Sequence, residues 1–156
     1  SGGVTVNSGA VAFGNNAGAG TGTLTLNGGA IQSSGAARTL TNVITVGGDF
    51  SVVGGNDLAL NGNMALGAAT RTVTVTNTAL TTFGGVITGA AGIGLTKAGG
   101  GTLQLAGGSA NTYNGVTTVN ERACGTATPL PSAVDPTRSR ALRSSTSNSG
   151  SRTTPA

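Results

Sequence analysis

The chain has 156 residues, 8% of them charged and 3% aromatic, with no His, no Trp, one Cys and a net charge of +4. Four carboxylates, one thiol and no imidazole exclude most acid–base, nucleophilic and metal-site layouts. A single Cys excludes an internal disulfide framework, and four aromatic side chains exclude a compact aromatic-centred core.

Composition changes near residue 120. Residues 1–120 hold 27 of the 29 Gly, all four aromatics and no Pro, with a net charge of +1 from Arg38, Arg71, Lys97, Asp49 and Asp57. Residues 121–156 hold the only Cys (Cys124), all four Pro and a net charge of +3. Two segments follow: a body over 1–120, and an Arg/Ser/Thr/Pro-rich tail over 121–156 that is read as disordered or frame-shifted. The high pI is mainly a tail property and says little about partners of the body. The chain opens on Ser1 without a basic and apolar leader, which reads as a piece of a longer protein. No apolar run is long enough for a membrane-spanning helix.

In chain order, alternation marks strands at Val4–Asn7, Thr23–Leu26, Leu58–Asn61, Thr72–Thr76 and Thr102–Leu105. Each puts aliphatic side chains on one face and mostly polar ones on the other, the period-two pattern of a half-buried strand. Thr and Val suit a pleated surface, and the Gly density disfavours helix. Between the strands lie Gly-Gly and Asn-Gly turns, among them Asn27-Gly28-Gly29, Gly47-Gly48, Gly54-Gly55, Asn61-Gly62 and Gly84-Gly85. Such turns fit hairpins and coiled parallel strands equally.

Repetition favours the coil. Gly22–Gly29 recurs almost unchanged as Gly101–Gly108, with a looser copy at Leu58–Gly62. Recurring strand–turn units with few aromatics indicate a solenoid. At roughly 20–25 residues per turn, the body makes about five coils and a rod of about 25 Å, with inward Val, Leu, Ile and Ala in ladders.

Three sub-motifs then occur in order: Phe83–Gly89, Gly94–Leu105 with its Leu95-Thr96-Lys97-Ala98-Gly99-Gly100-Gly101-Thr102-Leu103 core, and Asn111–Asn120. They resemble the autotransporter-associated β-strand repeat of Gram-negative passenger domains, with Val43–Leu66 as a weaker upstream match. The resemblance implies an all-β fold, a right-handed parallel β-helix, carried to the cell surface or secreted by a C-terminal barrel. It implies a stalk whose partners are neighbouring coils, a host surface or another copy. It transfers no catalytic, cofactor-binding or metal residues. After Asn120 the pattern stops, and no barrel follows.

Four side chains invite a functional reading. Lys97 and Tyr113 suit a glycan or receptor contact, but a solvated strand-end charge and a ring over a turn are the expected roles. Asp49 and Asp57, eight apart, suggest a carboxylate pair, but are expected to bond local backbone amides. Threonine arrays such as Thr72-Thr74-Thr76 resemble ice-binding ladders but fall at uneven intervals. The tail arginines Arg138, Arg140 and Arg143 offer only non-specific attraction to nucleic acid. The expected function is therefore a structural stalk segment contributing to adhesion or self-association, without enzyme activity or cofactor. The alternatives are a fragment of a carbohydrate-active β-helix enzyme and a non-functional truncated product.

Overall fold

A computed structural model describes residues 2–120; the tail over 121–156 lies outside the described residues. All regular structure among them is β, in fifteen short strands: β1 (Val4–Val6), β2 (Ala10–Phe13), β3 (Leu24–Leu26), β4 (Ala30–Ser33), β5 (Arg38–Leu40), β6 (Ile44–Val46), β7 (Phe50–Val52), β8 (Leu58–Leu60), β9 (Met64–Ala65), β10 (Arg71–Val75), β11 (Thr81–Phe83), β12 (Ile87–Thr88), β13 (Leu95–Ala98), β14 (Leu103–Leu105) and β15 (Thr117–Asn120). They form three sheets. The first runs β1-β3-β6-β9-β12, the second β2-β4-β7-β10-β13-β15 and the third β5-β8-β11-β14.

Every pairing is parallel and joins a strand to its counterpart one coil on. The chain therefore winds as a β-solenoid of about five turns, and none of the Gly-rich turns within it closes a hairpin. Val4 pairs with Leu24, Leu24 with Ile44 and Ile44 with Met64, an advance of 20 residues per coil. The advance grows to 23 between Met64 and Ile87. The corner between the third and first sheets stays at three residues throughout, so the extra length sits in the corner between the first and second sheets.

Period two decides which residues enter the core. Leu24, Leu26, Ile44, Val46, Val52, Leu60, Val73 and Val75 are wholly buried, and the residues between them point out. The inward rows are aliphatic but not exclusively so: Phe13, Phe50 and Phe83 are each buried. Three of the coils thus take a Phe into the interior, where the sequence suggested only aliphatics.

Positive-φ glycines recur at the corner between the first and second sheets. Gly9, Gly29, Gly67 and Gly92 all hold a positive φ of 68–77° there. A side chain at Gly29 would also stand 2.6 Å from the Gly9 carbonyl oxygen of the coil below. At Gly9, Gly67 and Gly92 a Cβ would have space, and the positive φ alone favours glycine.

The sequence copies do not mark the structural period. The Gly22–Gly29 copy supplies β3 in the first sheet, whereas Gly101–Gly108 supplies β14 in the third. Only the looser Leu58 copy shares a sheet with Leu103, two strands away across β11.

Candidate functional site

All five charged side chains of the body are engaged with main-chain groups. Asp49 stands just before β7 and accepts the Thr72 N–H at 2.8 Å through Oδ1. Asp57 stands just before β8 and accepts the Leu80 N–H at 2.9 Å in the same way. The two acids thus flank strands of different sheets, and each reaches 23 residues forward to the next coil rather than to its own turn. Asn16 and Asn63 repeat the arrangement at the same separation, accepting from Thr39 at 3.1 Å and Val86 at 3.1 Å. Asp and Asn share this role because only the Oδ1 acceptor is used.

The cations turn the other way, into the solenoid. Arg38 lies in register with buried Leu58, Arg71 with buried Leu95, and Lys97 with buried Val73. Residues in register on a parallel ladder share a face, so all three stems run along inward rows. Their heads bend back to carbonyls: Arg38 Nη2 to Ser34 at 2.9 Å, Arg71 Nε to Leu66 at 3.1 Å, Lys97 Nζ to Gly99 at 2.6 Å. The apolar stems fill core volume while the charge reaches a corner. Lys97 is therefore a half-buried inward residue, not the solvated strand-end charge expected of it. Among the described residues, Arg38 Nε is the one sealed side-chain polar atom without a partner.

Tyr113 matches its expected role. It is half-buried against Ile93 and the core near Gly89, and its hydroxyl lies 2.6 Å from Thr117 Oγ1. Asn111 and Thr112 cover the β12 edge from the same loop. Asn111 Oδ1 accepts the Ile87 N–H at 2.9 Å, and the Thr112 N–H donates to the Ile87 carbonyl at 2.9 Å.

Two residues that sequence reasoning passed over do more structural work. Asn42 is 7% exposed, and its amide nitrogen donates to the carbonyls of Gly20 at 3.0 Å and Gly22 at 2.7 Å. Asn77 is 1% exposed and donates to the Asn56 carbonyl at 3.0 Å. Each satisfies carbonyls at a corner where no strand partner exists. Their one sequence signal is an Asn within a tight turn, which many exposed asparagines share.

Among the described residues, no three His, Cys, Asp or Glu side chains gather into a metal-binding cluster. No helix there is long and apolar enough to cross a membrane. No protein-family model, no curated protein and no solved structure matches the chain. The fold is thus a parallel β-solenoid consistent with a β-helix repeat.

Proposed function

We propose that residues 1–120 are a stalk segment of an autotransporter passenger, displayed on or released from a Gram-negative cell surface. The observation that carries the reading is the use of the charges. Asp49, Asp57, Arg38, Arg71 and Lys97 each bond the main chain, so the groups best able to do chemistry instead tie strands and corners together. The motif resemblance adds support, since Phe83–Asn120 falls along one coil and its successor strand, from the end of β11 to β15. The role is reach: a pile of coils, each hydrogen-bonded to the next, holds distal parts away from the membrane. Contact with a host surface or another copy is the accompanying binding role.

Pulling the full chain from its two ends in a force spectrometer tests the mechanical part. The reading predicts stepwise unpeeling, one coil of 20–24 residues at a time, each releasing about 70–80 Å of chain. Featureless extension at low force would overturn it.

A further inference from the structure

In the coils above the first, the third side carries β5, β8, β11 and β14, and the first coil differs on that side. There the loop between β2 and β3 carries no strand, and it packs beside Thr39 and Thr41 instead of continuing the third sheet. A cleft of about 510 Å³ opens between that loop and the corner from the third sheet to the first, lined by Asn16, Thr21, Thr39, Thr41, Asn42 and Val43 among others. This volume lies within the range of small-ligand sites.

Asn42 gives the cleft a fixed polar group. Its nitrogen is held by the Gly20 and Gly22 carbonyls, which settles which way the amide points. Its side chain is more than nine-tenths buried, yet its oxygen takes no hydrogen bond from any described residue and is not a sealed atom. With its nitrogen committed, this cleft-lining residue keeps its oxygen as a free acceptor among the described residues. The hydroxyls of Thr21, Thr39 and Thr41 are likewise free of partners among the described residues, and each can donate and accept.

The surroundings are neutral. No charged residue occurs in the first 37 positions, and Arg38 turns inward to Ser34. From the cleft, hydroxyls continue over the outer face of the first sheet. Thr5, Thr25 and Thr45 stand in register on β1, β3 and β6, roughly 4.8 Å apart. Thr23 lies one outward position before Thr25.

We propose that this cleft and threonine row bind a neutral glycan chain. A sugar presents the same mixed donor–acceptor hydroxyls that Thr21, Thr39, Thr41 and Asn42 are placed to meet. A chain of sugars would run from the cleft along the Thr5–Thr25–Thr45 column. An uncharged rim offers no compensation for desolvating a carboxylate or sulfate, so it selects against acidic glycans. The proposal stands apart from the stalk reading, because it concerns one face and not the mechanics of the coil.

The test is an NMR titration of the full chain with maltohexaose and cellohexaose as neutral probes, and with a galacturonate hexamer as the acidic one. The expected result is saturable shifts of the Thr21, Thr39, Thr41 and Asn42 amides with at least one neutral probe and none with the acid. The double variant Thr21→Val/Thr41→Val keeps the shape and removes two hydroxyls, and it should weaken that binding by about tenfold or more. An unchanged unfolding midpoint in that variant shows that the fold is intact. No shift with either neutral probe at tens of millimolar would overturn the proposal. So would equal shifts with the galacturonate probe, or undiminished binding by the folded double variant.

Discussion

Asp49 Oδ1 and the Thr72 N–H meet at 2.8 Å across one rung of the solenoid, 23 residues apart in sequence. The bond ties the entry of β7 to the strand stacked on it. Asp49→Ala should lower stability by about 1 kcal/mol, because a charge-assisted bond is lost at an exposed corner. Asp49→Asn keeps the Oδ1 acceptor and should cost less than half as much. Urea unfolding of the three proteins measures both values.

The same logic separates two asparagines. Asn63 uses only its oxygen, so Asn63→Asp should change stability by less than about 0.5 kcal/mol. Asn42 uses its nitrogen toward two carbonyls, and Asn42→Asp would set a buried carboxylate against them. That change should cost about 3 kcal/mol or more. Thermal unfolding midpoints should therefore fall sharply for one variant and hardly for the other.

Glycines are not equivalent either. Gly29→Ala places a Cβ at a φ of 68° and 2.6 Å from the Gly9 oxygen, for an expected loss of about 1–3 kcal/mol. Gly100 has nothing within 4 Å of its would-be Cβ. Gly100→Ala should be neutral or mildly stabilising, since it restricts the unfolded chain. Denaturant midpoints give the comparison.

Burial falls along the inward rows toward the last strand. Ile44 is wholly buried between Leu24 and Met64, and Ile44→Ala should cost about 2–5 kcal/mol. Val119 lies in register with inward Lys97 but is 68% exposed. Val119→Ala should therefore change stability by less than about 0.5 kcal/mol. A loss at Val119 equal to that at Ile44 would show the two rows to be packed alike.

Much of the solenoid was legible because its strands alternate. Leu24, Leu26, Val73 and Val75 announce themselves by spacing, and the Gly-Gly and Asn-Gly pairs up to Gly99–Gly101 fall at corners. Other strands hid for physical reasons. In β2 and β4 the outward residues include Ala10, Ala12 and Ala30, which blur the contrast that alternation needs. In β5 an arginine occupies an inward position, and in β9 and β12 two residues are too few for a period. The partners of Asp49 and Asp57 were out of reach, because a residue 23 positions away becomes a neighbour only once the coil length is known. The cleft at Asn42 depends on the one coil side that lacks a strand, a three-dimensional fact with no local signature.

Coil-to-coil parallel pairing is read most directly by amide–alpha proton contacts in a nuclear Overhauser experiment. Contacts are predicted between Thr5 and Thr25, and between Thr25 and Thr45, at a constant offset of 20 residues. Strong contacts instead between successive strands, such as Val6 with Ala10 in an antiparallel ladder, would contradict it.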